Sequence, residues 1–239
     1  MTVARTNFEQ AYEQTYRPGR TPERPVPWDI GAPQPAVVAL AEAGAFRGSV
    51  LDVGCGLGEN SIALAARGLR VTGLDGAPSA IREATARAAS QGVAVTFAVA
   101  DATVLEGYDD TFDTILDSGL YHCLSDEDRP GYLAAIARAG RPGARLHLIA
   151  FADELPDGTP GRITEQKLRS HIVDPWVLDE LTRLQYKTAL TREQLRRTVP
   201  VSSGRPGGPD VFDRLDTDEE GRASVVAWHL VAHLPGGAA

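Results

Sequence analysis

Apolar residues fall into short blocks in the first two thirds of the chain. Aliphatic runs at Val50–Val53, Val71–Leu74, Val93–Val99, Phe112–Leu116 and Leu146–Phe151 have the length and β-branched content of buried strands. Alanine-rich stretches with helical spacing lie between them at Asn60–Arg67, Ser79–Ser90 and Pro130–Ala139, each ended or followed by glycine. Strands that alternate with helices are joined by crossovers, so the pattern predicts a parallel sheet covered by helices on both faces, a doubly wound α/β fold. Upstream, Asn7–Tyr16 and Ala36–Ala43 read as helices separated by the proline-rich, extended segment RPGRTPERPVPWDIGAPQP. Downstream, Ile163–Ile172 reads as a helix, Val177–Thr188 in part as a strand, and Ala223–Leu234 as a strong final strand that pairs antiparallel. The polar, glycine-rich stretch near 189–222, with VSSGRPGGPD at its centre, reads as a long loop, either a lid or an insertion without a role. The expected division is an N-terminal helical arm or lid over 1–45 and one α/β domain over 46–239.

Composition narrows the partners. With 239 residues and a formal charge of -8, the chain lacks the basic field that draws proteins to phosphate backbones, which disfavours nucleic acid. No run approaches the roughly 20 apolar residues that cross a bilayer, and the start lacks a basic-then-apolar leader, so a cytoplasmic protein with no membrane partner is expected. Cys55 and Cys123 are too few for a disulfide framework and lack metal-ligand spacing. His147, His171, His229 and His233 share no ligand spacing either; His229 and His233, on one strand face, would stand about 13 Å apart. No metal site is expected.

The chemistry begins at Val50-Leu51-Asp52-Val53-Gly54-Cys55-Gly56-Leu57-Gly58-Glu59-Asn60, a strand running through a glycine turn into a helix. Glycines let the main chain turn tightly beside a ligand, and the helix start offers unpaired N–H groups. A dinucleotide-binding turn places its third glycine one position later, which argues against a nicotinamide-dependent oxidoreductase. Asp75 ends the next strand, where a doubly wound fold sets a carboxylate against ribose hydroxyls, and Gly76 follows it. Asp101 and Ala102 close the third strand; Asp117-Ser118-Gly119-Leu120-Tyr121-His122 leave the fourth at the carboxyl edge of the sheet.

The glycine run resembles motif I of class I S-adenosylmethionine-dependent methyltransferases, typically L-D-x-G-C-G-x-G. Pro27-Trp28-Asp29-Ile30-Gly31 resembles the P-W-D-x-G segment of the thiol, halide and thiopurine methyltransferase group, and DSGLYH resembles the D-S-G-L-F-H form of bacterial quinol or phenol O-methyltransferases. The likeness covers roughly residues 8–151. It implies a Rossmann-like, mostly parallel seven-stranded sheet with an antiparallel last strand, and S-adenosylmethionine as cofactor. It implies a cofactor cradle of Asp52, Gly54, Cys55, Gly56, Asn60 and Asp75 with Gly76. Asp101 would lie near the adenine amino group, with Ala102 offering its N–H; Asp117 and Ser118 would meet the methionine part, and Trp28 would pack on the cofactor.

On the acceptor side the expected contacts are Tyr12, Tyr16, Trp28, Tyr121 and His122. Asp117 and His122 are the catalytic candidates. His122 could remove the acceptor's proton, or it could shape the pocket and bond to backbone. Cys55 reads as packing rather than a nucleophile. The implied activity is methyl transfer to a small molecule, with an aromatic hydroxyl favoured, as in secondary metabolism or detoxification. A thiol, halide or amine acceptor, and a protein that binds the cofactor without methylating, are the alternatives. Oligomeric state is not legible.

Overall fold

The computed structural model describes residues 26–154, 161–198 and 211–236. After a short helix α1 (Pro35–Glu42), the chain alternates β1 (Ser49–Val53), α2 (Glu59–Ala65), β2 (Arg70–Asp75), α3 (Pro78–Ser90), β3 (Thr96–Val99) and β4 (Phe112–Ser118). A single 3-10 turn at Tyr121–Cys123 leads to α4 (Asp128–Ala139) and β5 (Gly140–Phe151). Then come α5 (Glu165–His171), β6 (Val177–Thr191), α6 (Arg192–Thr198), a 3-10 turn at Val211–Arg214, and β7 (Arg222–His233).

The seven strands lie in the order β3-β2-β1-β4-β5-β7-β6. The first five pair in parallel, and β7 runs antiparallel to both β5 and β6. The expected sheet, antiparallel last strand included, is therefore present. Its order reverses between β1 and β4, so their carboxyl ends, near Val53 and Ser118, splay apart and open a crevice.

Each sheet face buries its own apolar layer. Tyr132, Leu133 and Ile136 of α4 cover one face with Leu168 of α5, Trp176 and Trp228. The other holds Val37 of α1 and Leu64 of α2 with Tyr186, Leu190, Leu195 and Phe212. Continuous apolar runs read as strands because both faces of the central strands are covered.

Three boundaries differ from the expected ones. Val93 donates its N–H back to Ala88 across Gly92, finishing the α3 turn, so β3 starts at Thr96. β5 starts at Gly140, six residues early: its register with β4 shifts across Pro142-Gly143, where Gly143 has φ +78°. The stretch near 189–222 is not one loop, for β6 continues to Thr191, α6 follows, and a 3-10 turn carries the buried Phe212 into the core. Residues 199–210 of that stretch lie outside the described residues, as does the expected helix Asn7–Tyr16. Val37 of α1 is buried in the same apolar cluster as Val50 and Leu64.

Candidate active site

The cofactor turn is held by main chain. Gly54, Gly56 and Gly58 have φ of +71°, +55° and +84°. Gly54 and Cys55 donate their N–H groups to the Leu74 carbonyl at 2.8 and 2.9 Å, which clamps the turn to the end of β2. A Cβ at Gly54 would lie 2.7 Å from that of Leu120, and one at Gly58 2.8 Å from Phe97, so side chains at these positions would close the crevice or disturb the packing behind it.

Asp75 is buried at the tip of β2, with Oδ2 accepting from Gly56 N at 2.9 Å and Oδ1 from Ala77 N at 2.8 Å. A carboxylate so placed can accept from ribose hydroxyls. Gly76, half-buried, lies between them. Asp101 is exposed at the end of β3, Oδ1 accepting from Thr103 N and Oγ1 at 2.8 and 2.6 Å, with Ala102 half-buried beside it. The two acids thus stand on neighbouring strand ends beside the glycine turn, and the residues present fit an adenosine-bearing cofactor.

Other expected cofactor residues serve as supports. Asp52 is buried and accepts from Ser61 Oγ at 2.6 Å, with burial, reinforced by the charge of Asp75, pushing its carboxyl up to about 6. Cys55 sits between these acids, and burial plus their charge hold its thiol protonated, which fits packing and not nucleophilic attack. Asn60 Oδ1 accepts from Gln34 N at 2.9 Å. Trp28 is half-buried, in a segment pinned where Ala189 N donates to the Pro27 carbonyl at 2.8 Å. Tyr12 and Tyr16 lie outside the described residues.

Beyond β4 two of the expected site residues lie inside the fold. Tyr121 does not face the crevice: it is fully buried, packs on Tyr132 at 6.1 Å, and is hydrogen-bonded to His171 Nδ1. Asp117 also lies inside. Its Oδ1 accepts from the N–H groups of Gly119, Leu120 and Tyr121, and its Oδ2 from Tyr121 N and from Tyr132 Oη at 2.7 Å. Burial pushes its carboxyl up to about 7 against those bonds. So placed, it shapes the 3-10 turn and has no lone pair turned to a substrate.

That turn presents His122 instead. Its ring stacks on Phe151, 4.0 Å between centroids and 16° between planes, and Nδ1 accepts the Phe151 N–H at 3.4 Å. Tyr186 of β6 meets Phe151 edge-on and donates to the Ser118 carbonyl at 3.2 Å, while Ser118 Oγ is buried with no partner among the described residues.

Phe151, Tyr186 and Gln34 were not among the expected residues. Gln34 is buried, its Nε2 donating to the Lys187 carbonyl and its Oε1 accepting from Lys187 N, which ties the start of α1 to β6. The signal for it was a polar amide between Pro33 and Pro35 at a helix start. Nothing in the local pattern marked Tyr186. Elsewhere, His147 Nδ1 stands 3.2 Å from His229 Nε2. Among the described residues no cluster of His, Cys, Asp and Glu could hold a metal ion, and no helix is long and apolar enough to cross a membrane.

A glycine cradle, a ribose-type acid on the next strand and a crevice at the β1/β4 switch define a class I cofactor-binding transferase fold. The comparisons agree. Residues 50–143 match the methyltransferase domain family. The chain is 37% identical over 235 residues to the 2-heptyl-1-hydroxyquinolin-4(1H)-one methyltransferase of Mycobacteroides abscessus, covering 95% of this chain and 98% of that one. It is 34% identical over 206 residues to methyltransferase GfsG of Streptomyces halstedii, covering 78% and 69%. A solved structure from work on the conversion of a disulfide bond into a thioacetal group during echinomycin biosynthesis superposes with a TM-score of 0.77 at 31% identity, covering 97% and 94%. The chain belongs to the S-adenosylmethionine-dependent methyltransferases. The nicotinamide alternative, already disfavoured by glycine spacing, falls away.

Proposed function

We propose that this enzyme methylates the hydroxyl of a small aromatic or heteroaromatic acceptor. The carrying observation is the aromatic cluster at the carboxyl ends of β4 and β5, a wall in which the His122 and Phe151 rings stack and Tyr186 meets Phe151 edge-on. A planar ring bearing one polar group suits such a wall. The relative named for a 1-hydroxyquinolinone supports the same acceptor class.

In this reading S-adenosylmethionine, once bound, supplies a methyl group activated by the sulfonium. Asp75 holds the ribose, Asp101 and Ala102 the adenine edge, and the Gly54–Gly58 main chain lies along the methionine part. The wall orients the acceptor oxygen and excludes water, and alignment is where most of the rate arises in such a displacement. Asp117 acts as a positioning residue, fixing the turn that carries His122. A sulfur acceptor is the second reading, supported by the likeness to the disulfide-to-thioacetal structure.

The test is S-adenosylhomocysteine release with 1-hydroxyquinolones, phenols, thiols and amines at equal concentration. Hydroxyl acceptors should exceed thiols at least tenfold in kcat/KM, a gap of about 1.4 kcal/mol. Turnover of thiols alone would transfer the assignment to sulfur.

A further inference from the structure

The wall of the acceptor site contains a histidine in the wrong state to be a base. A neutral imidazole carries one proton, and a ring nitrogen that accepts a backbone N–H cannot be the one that holds it. In His122 the accepting nitrogen is Nδ1, bonded to Phe151 N at 3.4 Å, so the proton is on Nε2. Nε2–H can donate; it cannot take a proton from a substrate.

The surroundings keep the ring so. It is stacked on Phe151, only 9% exposed, and packed so closely by Gly161 that a Cβ there would lie 2.8 Å from Cδ2. Burial, and next the Arg129 guanidinium, lower its pKa to about 3. Arg129, itself buried at the start of α4, reaches the turn through its Nε, which donates to the Tyr121 carbonyl at 3.3 Å. A conjugate acid that weak is outmatched by a phenol near pKa 10.

Among the described residues the other titratable neighbours do not replace it. The Tyr186 hydroxyl already donates to the Ser118 carbonyl, and burial raises its pKa. Cys123 Sγ lies against the Gly119 carbonyl at 3.3 Å. Asp117 is committed to the turn below.

Resting on the methyl-transfer reading above, we propose that the acceptor enters already ionised, as the anion of an acidic ring hydroxyl, and that His122 holds its oxygen as a hydrogen-bond donor through Nε2. The proton leaves the acceptor for water before binding. In the transfer an oxygen lone pair forms the new O–CH3 bond while the CH3–S bond breaks and its electron pair stays on sulfur. No proton moves within the site. The enzyme is therefore selective for hydroxyls acidified by the ring or heteroatom that carries them.

The experiment uses the intact enzyme and phenols graded in acidity, from dinitrophenol to phenol, first with S-adenosylhomocysteine and then with S-adenosylmethionine. With S-adenosylhomocysteine bound, 4-nitrophenol should show the absorbance of its anion at a pH one unit below its solution pKa. In turnover, the rise of kcat/KM with pH should move with each acceptor's own pKa. His122→Gln, which retains a donor, should stay within about fivefold of the wild type, whereas His122→Phe should lose on the order of 50-fold, mostly in KM, together with the bound-anion band. Nitrophenol bound in its neutral form, or one inflection shared by all acceptors, overturns the proposal and restores a protein base. Equal turnover of phenol and nitrophenols overturns it while leaving hydroxyl methylation standing. Intact S-adenosylhomocysteine binding with no hydroxyl methylated at all sinks the hydroxyl reading and this inference together.

Discussion

The two halves of the ligand-binding edge are built by opposite means. From β1 to β3 the edge presents main chain: three glycines at positive φ, N–H groups clamped to Leu74 and Asp75, and acids at successive strand ends. From β4 to β6 it presents side chains gathered from residues 118, 122, 151 and 186, which owe their chemistry to burial and stacking. The first half recognises by shape and hydrogen bonds and tolerates little change. The second works through exclusion of water, so what it selects follows from the protonation states it enforces as much as from which residues it contains.

The comparison breaks hardest at Asp75. If the cofactor half is a rigid hydrogen-bonded cradle, Asp75→Ala removes the acceptor for Gly56 and Ala77 N–H as well as the ribose contacts. Bonds to a charged group are each worth about 1.5–3 kcal/mol. Calorimetric titration with S-adenosylhomocysteine should show a loss beyond about 100-fold, roughly 3 kcal/mol, with kcat at saturating cofactor changed far less. Unchanged affinity would remove the ribose assignment.

Legibility followed the same division. The strand ends, the glycine turn, Asp75 and Asp101 were readable because a turn that needs positive φ and a carboxylate at a strand end are set within a few residues of sequence. Tyr121 and Asp117 sit in an equally clear motif, and both side chains are buried in the fold. Whether a residue leaving a strand points to the crevice or to the core is decided by its partners, here His171, fifty positions on, and Tyr132 of α4. Tyr186 was invisible for the same reason: its role arises where a long strand curls over the sheet edge to reach Ser118. The strand expected from Leu146 starts at Gly140, because a proline and glycine that usually end a strand here make a bulge within one.

A second, smaller effect tests whether the acceptor half is governed by burial. Asp117 titrates near 7 in the folded chain, against an ordinary carboxylate near 3.9 when unfolded. A raised carboxyl pKa favours the protonated form on folding, so this contribution is complete below the unfolded value and is lost as pH rises through the folded one. In Asp117→Asn the titration is gone. The stability of wild type relative to this variant should grow by about 2 kcal/mol as pH falls from 8 to 5, read from urea unfolding at each pH. A flat difference would mean that Asp117 stays ionised, and that the turn beneath His122 is held by a charge rather than by a shared proton.

The smallest effect concerns the join between the halves. Arg87 of α3 pairs with Glu59 at the start of α2, with Glu83, and with Asp29 beside Trp28 at 3.4 Å. It therefore links the Pro27–Ile30 segment to the cofactor turn. These groups are partly exposed, and exposed ion pairs contribute only about 0–1 kcal/mol each, so Arg87→Ala should hardly lower stability. Affinity is the informative quantity. If Trp28 packs on the cofactor, loosening its segment should weaken S-adenosylhomocysteine two- to fivefold, which is about 1 kcal/mol or less, and the wild-type advantage should shrink in high salt as the pairs are screened. Wild-type affinity in Arg87→Ala at every salt concentration would mean that the segment is held well enough by Ala189 of β6 and by Arg222 of β7, whose Nη1 donates to the Ile30 carbonyl at 3.3 Å, and that Arg87 does not serve the cofactor.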